Sequence, residues 1–299
     1  MEQTVTHPTK VMITGATGLL GRALLAELSP HFDVVGTGFS RAEGNIIKLD
    51  LHDQQAVANS LTEHKPQVVI HAAAERNPDI CSNKPEQAIA LNVAASKFLA
   101  EQCEAIGAKL ILISTDYVFD GQDAPYLENA APNPLNLYGQ SKQQAEQAVL
   151  AVAKTHSVIR VPVLYGDITH LGESAVTTLA QQLSATAPSS HDNWAIRNPT
   201  HVADIAMSIR DLVQQADKLG GIFHISGTQK MTKYQMACLI ADALGYDRSL
   251  LEPLGQPNDG TPRPYNCALE NKRLKAMGIH YERGFAKAIA EIIRAHITE

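Results

Sequence analysis

The sequence lacks the features of a secreted, membrane-spanning or metal-binding protein. Its four cysteines lie far apart without a CxxC pair, which indicates reduced thiols rather than a disulfide framework. No apolar run approaches the roughly 18 residues of a membrane span, and the N-terminal MEQTVTHPTK has no apolar signal core. The twelve histidines show no HExxH or other metal-ligand spacing. We therefore expect a cytoplasmic protein with no membrane segment and no metal site.

An excess of basic charge is also missing. The formal net charge of −6 gives no basic surface for a nucleic acid, so nucleic acid is not a predicted partner. Hydrophobic residues make up 44% and charged residues 19% of the 299 residues. This composition is typical of a globular protein with one large α/β domain or two closely joined ones.

The first half of the chain alternates short β-branched runs with helical stretches. The runs are almost continuously apolar, as in a parallel sheet that is covered on both faces. They are KVMIT (10–14), DVVGTGF (33–39), QVVIH (67–71), KLILIS (109–114) and SVIRV (157–161). Helical patterns at LLGRALLAEL and at 85–107 fall between them. This alternation predicts an α/β fold with a doubly wound parallel Rossmann sheet.

After about Gly166 the pattern changes to helices with few strands, apart from GIFHIS (221–226). FAKAIAEIIRAHI is an amphipathic helix near the end of the chain. No Gly/Ser-rich or Pro-rich linker separates the halves. We predict a dinucleotide-binding Rossmann domain over residues 1–165 and a smaller C-terminal α/β substrate lobe over 166–299, partly interleaved with the first.

A glycine-rich turn, ITGATGLLGR, follows the first strand and opens the first helix. It places Gly15, Gly18 and Gly21 in a GxxGxxG spacing. Glycines here permit a tight turn and let the backbone approach a pyrophosphate at the positive end of the helix. A simple Gly-rich turn would have the same letters, but the strand–turn–helix context favours a dinucleotide site.

The end of the second strand predicts which dinucleotide binds. An NAD site places Asp or Glu there for the ribose hydroxyl, whereas this chain has Phe39, Ser40 and Arg41. Arg41 can pair bidentately with a 2′-phosphate, so we predict NADP; the alternative is a solvated surface arginine. Asp50 and Leu51, after the third strand, are predicted to flank the adenine.

A helix over 138–152 would place Tyr138 and Lys142 on one face with Ala145, Val149 and Val152. A lysine on an apolar face must find a partner or shift its pKa, because an unpaired buried charge is costly. The alternative is a snorkelling lysine beside a core tyrosine.

The neighbouring strand strengthens a catalytic interpretation. It ends in Ser114, Thr115 and Asp116, at the carboxyl edge where open α/β sheets bind ligands. Reduction of a carbonyl needs a proton donor, a nearby cation that lowers the donor's pKa, and a hydroxyl that orients the carbonyl. Tyr138, Lys142 and Thr115 are candidates for those three roles.

Asn92 interrupts the apolar stripe of Ala88, Leu91, Ala95 and Leu99 in the predicted 85–107 helix. A buried polar side chain at such a position has either a functional role or a hydrogen-bonded place in the core. The sequence leaves both open.

These motifs together resemble the extended short-chain dehydrogenase/reductase superfamily. STDYVFDG, PLNLYGQSK and RPYNCAL resemble the dTDP-4-dehydrorhamnose reductase family, over nearly the whole chain. The resemblance implies NADP-dependent reduction of a nucleotide-linked 4-keto sugar. Tyr138 would donate the proton, Lys142 would hold the nicotinamide ribose, and Thr115 would orient the keto group. Asp116 would lie close to the sugar and Arg263 on the nucleotide side.

The resemblance also implies a set of cofactor contacts along the strand ends and the YxxxK helix. The set is Gly15, Thr17, Gly18, Leu19, Leu20, Gly21, Phe39, Ser40, Arg41, Asp50, Leu51, Ala72, Ala73, Arg76, Asn92, Tyr138, Lys142 and Val163.

Two features depart from the reductase pattern. HAAAERNPDICSNKP replaces an aromatic, threonine-containing loop after the fourth strand, and Val163 stands where these reductases often have tryptophan. With ESAVTTL, PTHVADIA and MTKYQMACLIADA, they resemble the regulatory beta subunits of methionine adenosyltransferase, members of the same family that bind NADP. The alternative function is therefore a non-catalytic subunit whose partner is a methionine adenosyltransferase catalytic subunit. Glu75 and Arg76 are predicted to project into the cleft near the nicotinamide.

Overall fold

The computed structural model describes residues 8–256 and 260–297 of the chain. Its strands are β1 (Lys10–Thr14), β2 (Asp33–Gly38), β3 (Ile47–Lys48), β4 (Val68–His71), β5 (Lys109–Thr115), β6 (Ser157–Val161), β7 (Leu164–Tyr165), β8 (Ser189–Asp192), β9 (Thr200–His201), β10 (Gly221–His224) and β11 (Leu251–Leu254). Its α-helices are α1 (Leu19–Leu28), α2 (Gln54–His64), α3 (Pro78–Asn83), α4 (Pro85–Ile89), α5 (Ala95–Ala105), α6 (Leu137–Val152), α7 (Thr178–Gln182), α8 (Val202–Gln214), α9 (Lys233–Leu244), α10 (Lys272–Ala276) and α11 (Phe285–Ile297).

Seven strands form one parallel sheet in the order β10-β6-β5-β4-β1-β2-β3. The predicted doubly wound Rossmann sheet is therefore confirmed. Every residue of β4 and β6 is buried, which explains why these runs read as continuously apolar rather than alternating. The strand order reverses between β1 and β4, and such a reversal opens a crevice at the carboxyl ends of the strands.

Helices cover both faces of the sheet. Helices α1, α8, α9 and α11 pack on one face around Leu24, Ile209 and Ile289. Helices α2, α5 and α6 pack on the other around Leu99 and Val149. Burial of these aliphatic faces is the main term that stabilises such a three-layer fold.

The C-terminal part contributes both to the main sheet and to the structure above its carboxyl edge. Strand β10, from the GIFHIS run, pairs with β6 as an outer strand of the main sheet. Above the edge lie two small parallel pairs, β8 with β11 and β7 with β9. Among the described residues, no helix combines the length and apolarity that a membrane crossing would require.

The helix predicted over 85–107 is divided. Helices α4 and α5 are separated by a π-helical turn, Ala90–Ala94, with Asn92 inside it. A π turn widens the helix by one residue, and such turns often occur at functional sites. Apolar periodicity alone did not reveal the turn, because the flanking stripe of Ala88 and Leu99 is buried as a helix requires.

Candidate functional site

The glycine-rich turn lies at the reversal of strand order. Gly15 has a φ of +72°, and a β-carbon there would be 2.7 Å from the backbone nitrogen of Ala73, just after β4. A β-carbon on Gly21 would be 2.1 Å from the Gly15 carbonyl oxygen. Helix α1 begins after Gly18, which makes no side-chain cap. The turn and these uncapped amides fit a dinucleotide pyrophosphate.

The β2 end of this edge is open to solvent. Residues 39–41 are exposed, and the Arg41 side chain keeps 56% of its accessible surface. Its Nη1 lies 3.8 Å from Oε1 of Glu173, which comes from the C-terminal part of the chain. Asp50 and Leu51 follow β3 and are half-buried. A guanidinium in this position is accessible to a ribose 2′-phosphate.

The other residues predicted to contact the cofactor follow the same edge. Leu19 and Leu20 bury their side chains in the core, so only their backbone can face a ligand. Ala72 is half-buried after β4, and its backbone N–H donates to Thr14. Thr17 accepts a hydrogen bond through its carbonyl, and Val163 is half-buried between β6 and β7.

Helix α6 begins at Leu137, one residue before the predicted start. The Asn136 side chain accepts a hydrogen bond from the Gly139 N–H at 2.9 Å and caps the helix. A β-carbon on Gly139 would be 2.2 Å from the Tyr117 carbonyl oxygen. The absence of a side chain at Gly139 therefore lets α6 approach the turn after β5, and this brings Tyr138 to that turn.

Two of the predicted catalytic residues, Thr115 and Tyr138, are in contact here, and Lys142 lies one helical turn beyond Tyr138 on α6. The Thr115 hydroxyl acts as a hydrogen-bond partner of Tyr138 and lowers the tyrosine's pKa, but burial raises it more, so the net pKa lies above its ordinary value. Lys142 is 2% exposed, and burial lowers its pKa to about 8 against the opposing charge of Glu146. The lowering that we predicted for the Tyr138 pKa is therefore wrong here, because desolvation outweighs the hydrogen bond.

A buried ion pair between Glu146 and Arg160 holds α6 against the sheet. Glu146 lies one turn beyond Lys142 and accepts hydrogen bonds from Arg160 Nη2 at 2.6 Å and from the Ser114 hydroxyl at 2.5 Å. Arg160 and Glu146 are both almost completely buried. Their opposite charges compensate each other, which a buried pair needs for stability. The contact joins α6 to β5 and β6, and so holds the helix against the sheet edge.

Asn92 connects α6 with the loop after β4. Its Nδ2 donates to the Glu75 carbonyl at 3.0 Å and to the Ser141 hydroxyl at 3.1 Å. Its Oδ1 accepts from the Glu75 N–H at 2.8 Å. The Ser141 hydroxyl in turn donates to the Tyr138 carbonyl at 2.8 Å. The amide of Asn92 therefore fixes the backbone of the loop beside the catalytic helix.

Asp116 and Arg197 place a second pair of charges beside the catalytic residues. The Thr115 hydroxyl donates to Asp116 at 3.2 Å, and burial raises the pKa of Asp116 to about 6, an effect that Arg197 partly opposes. Arg197 is buried, and its Nη1 donates to the Pro264 carbonyl at 3.0 Å. Its guanidinium carbon lies 5.6 Å from the centre of the Tyr117 ring. The β5 edge thus faces a buried cation from the C-terminal part.

Two more cations lie near Arg197. Burial and then the charges of Arg263 and Arg197 lower the pKa of Lys233, at the start of α9. Arg263 donates through Nη2 to Asp79 on α3 at 3.1 Å. The three cations lie near one another, and the carboxylates of Asp192 and Asp79 oppose the lowering of the Lys233 pKa only in part, so positive charge prevails there and favours an anionic ligand.

An aromatic pair adjoins these cations. The rings of Trp194 and Tyr265 have centroids 5.2 Å apart at an angle of 50°. Tyr265 is 45% exposed, although it is a large ring. Its neighbour Pro264 is the residue whose carbonyl holds Arg197. An exposed ring beside cations is suited to stack against a nucleotide base.

Sequence reasoning did not predict Arg197, Lys233 or Glu173 as site residues. Arg197 lies in IRNPTH and Lys233 in MTKYQM. Neither sequence distinguishes a buried cation from a solvated one, so neither residue could be recognised as part of a site. ESAVTTL, which contains Glu173, was singled out only for its resemblance to known proteins. A glutamate among apolar residues was the one available signal, since an unpaired buried carboxylate is costly.

The fold and these contacts define a dinucleotide-binding α/β protein of the short-chain dehydrogenase/reductase type, with a GxxGxxG turn at β1 and YxxxK on α6. The chain belongs to the RmlD substrate binding domain family, whose profile matches residues 9–297. The family resemblance predicted from the motifs is therefore confirmed.

The similar proteins include members of both expected groups. Methionine adenosyltransferase 2 subunit beta of Xenopus tropicalis is 45% identical over 288 residues, which cover 94% of this chain and 86% of that protein. The dTDP-4-dehydrorhamnose reductase of Bacillus anthracis, solved in complex with NADP, superposes with a TM-score of 0.85 at 27% identity and covers 97% and 100% of the two chains. A second such reductase, from Clostridium acetobutylicum, has a TM-score of 0.85 at 28% identity, with 96% and 99% covered.

Proposed function

We propose that this protein is an NADP-dependent reductase of a nucleotide-linked 4-keto sugar. The observation that carries the proposal is the contact between Thr115 and Tyr138 at the carboxyl end of β5, with the buried Lys142 one turn further along α6. A bound nicotinamide would supply hydride to the carbonyl carbon. Tyr138 then gives its proton to the developing alkoxide. Lys142 binds the nicotinamide ribose.

The cleft opposite these residues suits a nucleotide diphosphate. Arg197, Lys233 and Arg263 provide positive charge from the C-terminal part, and charge-assisted hydrogen bonds to phosphate are strong. Trp194 and Tyr265 provide rings for the base. The sugar then lies between this group and Tyr138, near Asp116.

NADP is the proposed cofactor. Residues 39–41 contain no acid that would repel a 2′-phosphate, and Arg41 is accessible there. The glycine turn and the uncapped start of α1 provide the pyrophosphate site. The similar reductase of Bacillus anthracis was solved in complex with NADP, which supports the same choice.

A second function is supported by a separate observation. The 45% identity to a methionine adenosyltransferase subunit beta exceeds the 27% identity to the reductase in complex with NADP. In this alternative the chain is a non-catalytic subunit that binds NADP in the same groove and a methionine adenosyltransferase catalytic subunit on its surface. Tyr138 and Lys142 would then serve only to bind the nicotinamide ribose.

One experiment separates the two functions. Purified protein is incubated with NADPH and a series of nucleotide-linked 4-keto sugars, including dTDP-4-dehydrorhamnose, and the loss of NADPH absorbance is recorded. In parallel, tagged protein is co-purified with methionine adenosyltransferase from the same organism. We expect turnover of one keto sugar that Tyr138→Phe abolishes. Stable binding to methionine adenosyltransferase with no turnover would reject the reductase in favour of the subunit.

A further inference from the structure

Three arginines contact Glu173 at the proposed cofactor groove, two at its buried carboxylate and one at its backbone carbonyl. The Glu173 side chain is 4% exposed, and its two oxygens accept from Arg22 Nη1 at 2.7 Å and Nη2 at 2.8 Å. Arg41 approaches the same carboxylate at 3.8 Å, and Arg76 Nη2 donates to the Glu173 backbone carbonyl at 2.5 Å. The Thr169 N–H donates to the carboxylate as well. These charged hydrogen bonds hold the pKa of Glu173 at about 2 despite burial, so it stays ionised.

Arg22 holds both ends of the segment that contains Glu173. This segment, residues 167–174 and here called the crossing segment, follows β7 in the chain. The Arg22 guanidinium donates to the Asp167 carbonyl at 3.0 Å and to Glu173 at the other end. It also donates to the Thr17 carbonyl at 3.1 Å, inside the glycine-rich turn. One guanidinium therefore connects the crossing segment directly to the turn proposed to bind the pyrophosphate.

The three arginines come from three parts of the groove. Arg22 lies on α1, Arg41 follows β2, and Arg76 follows β4. Strands β4, β1 and β2 are neighbours in the sheet, so the positions after them lie side by side along one carboxyl edge. A dinucleotide that follows this edge passes all three. Contacts from all three positions to Glu173 place the crossing segment at the same edge.

We propose that Glu173 is a positioning residue of the cofactor site, which anchors the crossing segment to the phosphate loop and thereby slows the release of the bound dinucleotide. This inference rests on the proposed cofactor site. Release then requires the Arg22–Glu173 contact to open. Because the contact engages the pyrophosphate turn, its effect is common to NADPH and NADH, whereas Arg41 discriminates between them.

A second ion pair, Arg210 with Glu27, also connects α1 with the C-terminal part, since Arg210 lies on α8. Glu27 stands at the opposite end of α1 from the glycine-rich turn. Glu27→Gln is therefore a matched control: it removes a carboxylate–arginine contact between the same helix and the same part of the chain, away from the cofactor groove.

The test uses stopped-flow release of NADPH and of NADH from the full-length protein, with equilibrium affinities by fluorescence. We expect Glu173→Gln to release both dinucleotides about tenfold faster, with the NADPH-to-NADH affinity ratio unchanged, because the crossing segment is then held less firmly against the phosphate loop and most affinity changes at one site appear in the dissociation rate. Glu173→Asp keeps the charge and should show a smaller effect in the same direction. Glu27→Gln should leave both release rates at the wild-type value.

Several outcomes would overturn the inference. Wild-type release rates in folded Glu173→Gln and Glu173→Asp would reject it while leaving the NADP proposal intact. Tighter binding in Glu173→Gln would show that the carboxylate opposes the cofactor phosphates instead. A changed NADPH-to-NADH ratio would show that Glu173 acts through Arg41 alone. If the wild type binds neither dinucleotide, the proposed function fails together with the inference.

Discussion

The two ends of the proposed cofactor groove differ in their exposure to water. At the catalytic end, Lys142 is 2% exposed and Tyr138 lies against the turn after β5. At the adenine end, the Arg41 side chain is 56% exposed. Burial changes protonation strongly, whereas solvent screens a surface charge. Under the proposed function, proton transfer takes place at the buried end and discrimination between cofactors at the exposed end, so equal substitutions should have unequal effects.

The largest effect should come from Tyr138→Phe. The variant removes one hydroxyl and little packing, so it should fold and bind NADPH like the wild type. Loss of a general acid should lower turnover by roughly 10²–10⁴-fold. Steady-state kinetics with a confirmed keto sugar measures this. Turnover at the wild-type rate would show that Tyr138 is not the proton donor. It would also show that the buried end of the groove does not carry the proton chemistry.

The next largest effect should come from Lys142, whose protonation makes the free energy of unfolding depend on pH. Its pKa is about 8 in the folded chain and ordinarily 10.5, so the unfolded chain binds more protons between these values. The free energy of unfolding should therefore rise with pH through this window, by on the order of 3 kcal/mol from this group alone. Lys142→Met removes that rise, and urea denaturation of both proteins at pH 7 and pH 10 measures it.

A constant stability difference between Lys142→Met and the wild type across this pH range would show that Lys142 is not desolvated as described. NADPH affinity provides an independent measurement, since the ammonium is proposed to bind the ribose. We expect it to fall in the variant. Unchanged affinity would contradict the ribose contact.

Arg41→Ala tests the exposed end. A partly exposed guanidinium–phosphate pair contributes on the order of 1.5–3 kcal/mol, which is tenfold or more in affinity. The variant should lose its preference for NADPH over NADH by that factor, with NADH affinity and thermal stability unchanged. Fluorescence titration of both dinucleotides measures the ratio. Equal affinities in the wild type would reject the assignment of Arg41.

The smallest effect should follow Asp79→Asn, which breaks the contact with Arg263 at the cleft entrance. The two side chains are 51% and 38% exposed, so the pair contributes at most about 0.5 kcal/mol to stability. Thermal melting should therefore hardly change. The freed Arg263 should instead lower KM for a nucleotide-linked substrate. A large loss of stability would show that this exposed pair behaves like a buried one.

The sequence predicted those parts of the fold that depend on local patterns of apolar residues and glycines. The sheet, helix α1 and the start of α6 follow from apolar runs, a glycine spacing and turn residues that act locally. The π turn around Asn92 was not predicted. Within it, the Asn92 side chain accepts a hydrogen bond from the Glu75 N–H, which belongs to another segment. A pattern of neighbouring residues gives no information on a contact between residues 17 positions apart in the chain.

The site residues that belong to a sequence motif were predicted. Those that reach the site only through packing between distant segments were not. Tyr138 and Lys142 are recognisable by their spacing on one helix. Arg197 and Lys233 are near the site only because the C-terminal part folds over the sheet edge. The pKa of Tyr138 also depends on burial, which the sequence does not state, and for this reason the predicted direction was wrong.

The way Asn92 binds the loop after β4 has a consequence for how this site can change during evolution. The amide of Asn92 holds the backbone N–H and carbonyl of Glu75, not its carboxylate. Any residue other than proline presents the same two groups. The hold of Asn92 on the loop therefore does not depend on which side chain stands at position 75. A substitution at Glu75 therefore keeps both contacts with Asn92 and removes only what the carboxylate does, which is to accept a hydrogen bond from the Asn77 N–H at 2.9 Å.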